Sequence, residues 1–221
     1  MNLREHHKQT RRDQIVDAAA ELIRTNGADG LNMRTLASEA QLSLATVYNL
    51  MGGQEAVLAA VVERAVDSIE AALVETVHED ALAACMAMIV GSIDVFEERK
   101  AECKPALMVA HSVDPTTRKN DPTRPFKSLD ARARTMQAKL VLRAQSDGTF
   151  DPALDAQAVG RALYASYIHH LMDWAHSRVT ADHAKVVAAF DAALILMSGA
   201  KGPARERLRG DLLRLQRKIA S

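Results

Sequence analysis

Aromatic residues make up only 4% of the 221-residue chain. Proteins that track single-stranded nucleic acid use rows of aromatic rings as stacking platforms, so the composition argues against that class. Cysteine is nearly absent. Cys85 and Cys103 build neither a disulfide framework nor a zinc cluster, and they read as reduced side chains. Net charge is absent as well: 28 Lys and Arg balance 28 Asp and Glu. That excludes a highly charged disordered chain and a uniformly basic protein that coats nucleic acid. The start, Met1 to Lys8, lacks an apolar secretory core, and no apolar run reaches the roughly 18 residues of a membrane span. The expectation is a cytoplasmic protein with no membrane partner. What the chain does have is apolar content, at 48%, enough to bury one large core or two modest ones.

The neutral total hides an uneven distribution. Residues 51–100 carry ten acids against three bases, while residues 201–221 carry seven bases against two acids. Any contact with a polyanion must therefore be local. The first twelve residues supply Arg4, Lys8, Arg11 and Arg12 against Glu5 alone, and read as a short flexible basic arm.

Helix formers dominate and no alternating strand stands out, so the fold class is all-α, with nine or ten helices. A first helix is expected from Arg11 to Asn26, with Ile15, Ala18, Ala19, Leu22 and Ile23 as its apolar stripe and Gly27 as its stop. Asn32 is placed to cap a short helix, Met33 to Ala40, with Leu36, Ala37 and Ala40 inward. Gln41-Leu42 turn the chain, and Ser43 caps a third helix, Leu44 to Met51. After Gly52-Gly53 a long fourth helix runs from Gln54 to Val77. Six more are expected near 80–99, 104–112, 126–146, 152–176, 182–199 and 203–219, with a proline-bearing loop from Asp114 to Pro125.

Helices two and three are too short to persist alone and must be held by helix one and by each other. Two short helices joined by a tight turn form a helix-turn-helix, whose second helix enters the major groove of duplex DNA N-terminus first. With Val47 and Met51 packed inward, Leu44, Ala45, Thr46, Tyr48 and Asn49 are left outward. Ala45 lets the backbone approach DNA, Thr46 and Tyr48 offer hydroxyls, Asn49 can read a base edge, and Leu44 can touch a thymine methyl.

The segment Gly30–Leu58, GLNMRTLASEAQLSLATVYNLMGGQEAVL, resembles the DNA-binding domain of TetR-family transcriptional regulators, as does the helix-one segment IVDAAAELIRTNGADGL. The shared pattern is Ala37, Ala40, Leu42-Ser43, Thr46, Tyr48, Glu55 and Leu58. The resemblance covers about the first quarter of the chain. It implies DNA contacts from Ser43, Thr46 and Tyr48, with Arg34 and Asn49 in support. Three positions depart from the family: Gln41 stands where the turn usually has glycine, Met51 where an aromatic is usual, and Gln54 where lysine is frequent. The last change removes a cation from a phosphate contact, so weaker or less salt-sensitive binding is expected.

The resemblance further implies two domains, 1–52 for DNA, with the start of helix four completing it, and 53–221 for ligand binding and dimerisation. Met86, Ile89, Phe96, Met108, His111, Met136, Leu140 and Tyr167 are the candidate lining of a pocket for a small apolar ligand. Segments 152–176 and 182–199 are expected to meet their copies in a homodimer, with Ala188, Ala189, Ala192 and Ala193 permitting close helix approach and Leu194, Leu196 and Met197 supplying apolar area. The final helix is expected to pack on the core with its charges in water. His169, Asp173 and His176 share one helical face, which makes a metal-sensing regulator one alternative. A second alternative is a helical carrier or enzyme that keeps the N-terminal module. No nucleophile–base pair, phosphate loop or metal motif supports catalysis, so no enzyme and no cofactor are expected. The expected function is a ligand-responsive repressor on a near-palindromic double-stranded operator.

Overall fold

The computed structural model describes residues 3–111 and 124–220. Among them are ten α-helices and no strand, only a single bridge between Phe150 and Ala200. The helices are α1 (Leu3–Asn26), α2 (Met33–Glu39), α3 (Leu44–Met51), α4 (Gln54–Glu75), α5 (Ala81–Glu98), α6 (Lys100–His111), α7 (Arg124–Ser146), α8 (Ala156–Ala175), α9 (Ala181–Met197) and α10 (Gly202–Ala220). Residues 114–123 of the expected loop lie outside the described residues, and α7 already begins at Arg124.

Two expectations near the N-terminus are corrected. The basic arm is not a loose strand but the first two turns of α1, which begins at Leu3 rather than Arg11. Residues 3–10 have no apolar stripe. Their helix rests on intrinsic propensity and on local side-chain bonds: Gln9 Nε2 donates to Asp13 Oδ1 at 2.9 Å, and Thr10 Oγ1 donates to the His6 carbonyl at 3.0 Å. Arg12 is not available as an arm residue either, because its Nη1 donates to the Leu50 carbonyl at 2.6 Å and caps the end of α3.

The chain forms two compact units, and neither is contiguous. The first unit holds the described residues up to Ala65 together with those of Arg99–Leu129; the second holds Val66–Glu98 and Asp130 onward. In the first unit, Ile15, Val16, Ala19, Leu22 and Ile23 of α1 form the core with Leu36, Ala37, Val47 and Met51, all buried. Arg64 ties the first half of α4 to α1, bonding Asp17 Oδ1 at 2.6 Å and the Asp13 carbonyl at 2.9 Å. α6 packs on α1, burying Cys103, Ala106 and Leu107, with Glu102 3.8 Å from Arg24.

In the second unit α9 is central, packed on α5, α8 and α10. Its alanines 188, 189, 192 and 193, and Leu196, are buried within the single chain. The close approach expected of them at a dimer contact is thus already used inside the protomer, while Leu194 remains half exposed. α7 and α8 also touch backbone to backbone: a Cβ placed on Gly160 would lie 2.8 Å from the Ala138 nitrogen. Arg132 binds Glu70 and Asp67 on α4, which holds the Glu70 carboxyl below its ordinary range and raises the guanidinium above its own. The first half of α10 is fixed by buried Ala204 and Leu208 and by Arg207, whose Nη2 sits 2.6 Å from Asp80. Its second half leaves Leu213 and Ile219 exposed.

Candidate nucleic-acid interface

The helix-turn-helix is built by two local caps and one turn. Asn32, in extended backbone, accepts from the Thr35 N–H at 2.9 Å and starts α2. The end of α2 is closed by Gln41, just past the Ala40 cap: its N–H donates to the Ser38 carbonyl at 3.0 Å while the Leu42 N–H reaches back to Ala37 at 2.9 Å. This paired bonding requires left-handed backbone at the turn residue, and Gln41 has φ +52°. Ser43 follows in extended backbone and starts α3, its Oγ accepting from the Thr46 N–H at 3.1 Å. The same Oγ lies 2.8 Å from Thr46 Oγ1, so the two hydroxyls sit together at the N-terminal end of α3.

The face of α3 divides cleanly. Val47 and Met51 are buried, so Met fills the position where an aromatic was expected. Ser43, Ala45, Tyr48 and Asn49 are exposed, and Tyr48 keeps 50% of its surface in solvent. Leu44 and Thr46 are half-buried, which leaves Leu44 less available than its expected outward position suggests. Arg34 is exposed on α2, and Gln54, at the first turn of α4, is half-buried. The N-terminal end of α3 carries the positive end of the helix dipole, suited to phosphate, and the small Ala45 leaves room for close approach.

The candidate ligand residues fall in both units. Met108 is on α6, in the first unit, and 39% exposed; the side chain of His111 lies outside the described residues. Ile89, Phe96, Leu140 and Tyr167 are buried in the second unit, and Met86 and Met136 are half-buried there. Phe96 stacks obliquely on Trp174 with ring centres 6.4 Å apart, and the Trp174 Nε1 donates to Glu97 at 2.6 Å. Tyr167 lies 6.4 Å from Tyr164, and burial pushes its hydroxyl well above the ordinary range. None of these residues lines the half-open groove that the second unit presents between α4 and α5. That groove was missed because its residues come from two helices and a loop, with no signature on any one of them.

On α8, His169 Nε2 is 3.7 Å from Asp173, but Asp173 is already bound by Arg178 at 2.9 Å, which holds its carboxyl below the ordinary range. His170 pairs instead with Asp191 at 2.8 Å, and His176 ends the helix. Among the described residues no three His, Cys, Asp or Glu side chains converge on a metal position, and no helix is long and apolar enough to cross a membrane.

The sequence model described as bacterial regulatory proteins, tetR family, matches residues 15–61, which run from the second half of α1 through the first two turns of α4. No curated protein matches the chain. Solved structures are similar over most of its length. SmeT, the repressor of the Stenotrophomonas maltophilia multidrug efflux pump SmeDEF, aligns at 19% identity over 87% of this chain and 92% of its own, with a TM-score of 0.64. A TetR transcription regulator from Haloarcula marismortui aligns at 22% identity over 87% and 100%, with a TM-score of 0.65. The TetR regulator TylP of Streptomyces fradiae aligns at 14% identity over 96% and 99%, with a TM-score of 0.63. Residues 15–61 are therefore similar to the N-terminal domain of the tetR family of bacterial regulatory proteins, and the chain has the all-α fold of the TetR-family regulators whose structures it resembles.

Proposed function

We propose that the chain is a ligand-responsive DNA-binding regulator, a repressor that acts as a homodimer on a near-palindromic operator and is released by a small apolar ligand. The observation that carries this reading is the outward face of α3: a capped N-terminal end bearing Ser43 and Thr46 hydroxyls, beside exposed Ala45, Tyr48 and Asn49. A purely structural helix of eight residues has no need of an exposed tyrosine and a methyl-sized gap at its entry end. In the proposed docking, Tyr48, Thr46 and Arg34 hold phosphates, Ser43 sits at the backbone, and Leu44, Ala45 and Asn49 face base edges.

Two copies present two such helices to successive major grooves, which is why the operator is near-palindromic. A ligand changes DNA affinity only if it binds two conformations unequally. α4 is one uninterrupted helix whose first turns belong to the DNA-binding unit, so it is the natural element to carry the change. The likeness to SmeT, a repressor also solved as a complex with triclosan, supports the ligand-responsive form of the reading.

The test is fluorescence anisotropy with duplex DNA from the region upstream of the protein's own coding sequence. Thr46→Ala and Tyr48→Ala should each weaken binding at least tenfold, since each removes a contact from both half-sites. Affinity that is unchanged in both variants rules the docking out.

A further inference from the structure

The second unit carries a half-open groove of about 190 Å³. Ile69 and Leu73 of α4, His78 of the following loop, and Met88, Gly91 and Val95 of α5 line it. Two features of the groove have no explanation within the fold. First, the His78 Nε2 is buried in its wall and has no hydrogen-bond partner among the described residues. A buried polar atom left unpaired is costly, and this one, closed to solvent as the ring stands, meets a group in the groove once the imidazole turns toward it. Second, Gly91 stands in the middle of α5, where glycine is the poorest helix former after proline. Its backbone is ordinary helix, and an added Cβ would meet nothing within 4 Å. Neither backbone conformation nor packing asks for glycine there. What its small size does is open the floor of the groove.

We infer that this groove binds a neutral, largely apolar molecule of one or two rings that carries a hydroxyl group, with the hydroxyl on His78 Nε2 and the apolar body over Gly91. The size follows from the volume, somewhat above the 150 Å³ that admits a single benzene ring. Neutrality follows from charge. Glu75, Glu79 and Asp80 surround His78 in sequence, and Arg207, 3.2 Å from Glu79 and 2.6 Å from Asp80, is the cation paired with two of them. The balance is negative, and an anionic head group is disfavoured. A hydroxyl is the fitting polar group because it can donate to an unprotonated Nε2 or accept from a protonated one. Only the regulatory consequence of this binding rests on the proposed function; the binding itself does not.

Equilibrium dialysis of the full chain against 2-naphthol and against naphthalene tests the assignment. The wild type should take up one 2-naphthol per chain and bind it about fivefold more tightly than naphthalene, the worth of one hydrogen bond. His78→Leu should erase that difference while naphthalene binding stays. Gly91→Leu should remove both ligands with the melting temperature kept. Gly91→Ala, which cannot clash, should raise the melting temperature and still weaken both ligands severalfold. The assignment is overturned if the wild type binds neither compound, if Gly91→Ala binds both as the wild type does, or if His78→Leu weakens both equally. Operator affinity measured on the same samples separates the two readings: a chain that binds DNA but not 2-naphthol loses the groove and keeps the regulator, and the reverse result does the opposite.

Discussion

Gln41 is the residue at which local chemistry and the required backbone disagree. The turn between α2 and α3 needs left-handed backbone, and a side chain with a Cβ held at φ +52° costs about 1 kcal/mol. The same bonding pattern ends α8, where Ser177 at φ +58° takes the turn position. Gln41→Gly should therefore raise stability by about 0.5–1 kcal/mol, even though glycine also loosens the unfolded chain. The urea midpoint reads this directly, and a midpoint that stays or falls would mean the glutamine side chain recovers the strain through its own contacts. The two cysteines make a second residue-scale case. Both are buried, and burial pushes each thiol up to about 12, so at neutral pH the reactive thiolate is scarce. Ellman's reagent should release nearly no chromophore from the native protein at pH 8 and two equivalents once urea unfolds it. Prompt release from the native state would mean that α5 or α6 opens readily.

Elements were legible in proportion to how local their causes are. The Asn32 and Ser43 caps, the Gly27 stop and the inward pair Val47 and Met51 are set by neighbours within one turn, and the structure has each where the sequence places it. The start of α1 was missed because periodicity detects an apolar face, and residues 3–10 have none. α6 begins four residues earlier than expected, at Lys100, with Pro105 inside it. Its first turn bonds through the Arg99 carbonyl to Glu102 and Cys103, which a proline signal read alone does not reveal. Spacing likewise says that Phe96 or Leu140 is buried without saying against what, so a pocket could not be read from it. The interface itself carries a testable electrostatic weakness. Between Leu31 and Gln54 the only cation is Arg34, against Glu39. Operator affinity should therefore fall gently with salt. Arg34→Ala should flatten the slope of log K against log salt by about 2 per dimer, and Gln54→Lys should steepen it by about as much. A slope unmoved by Arg34→Ala would take that residue off the phosphates.

At the scale of the whole molecule, the compact unit that holds the helix-turn-helix is not made from the N-terminal stretch alone. Its family signature ends at residue 61, yet the compact unit also contains α6, about forty residues further on. α6 packs on α1, where Cys103, Ala106 and Leu107 are buried and Glu102 lies beside Arg24. Small domains have little stability to spare: below about 70 residues a single core rarely supplies more than 3–5 kcal/mol. Burying one leucine-sized side chain contributes about 1.5–3 kcal/mol, so removing α6 takes away a share comparable with the whole. A fragment of residues 1–65 contains the caps, the turn and every residue assigned to DNA, and on a reading from motif alone it should bind. The packing predicts otherwise. The fragment should lose most of its helical circular dichroism signal, unfold without a cooperative transition and bind operator DNA at least a hundredfold more weakly per half-site than the full chain does as a dimer. Disrupting α6 in the full chain separates this from simple loss of dimerisation. Leu107→Asp, which places a charge on the buried face of α6, should lower the melting temperature and weaken operator binding while sedimentation still reports the dimer. A stable, cooperative 1–65 fragment would show instead that α1 to α4 hold one another without α6.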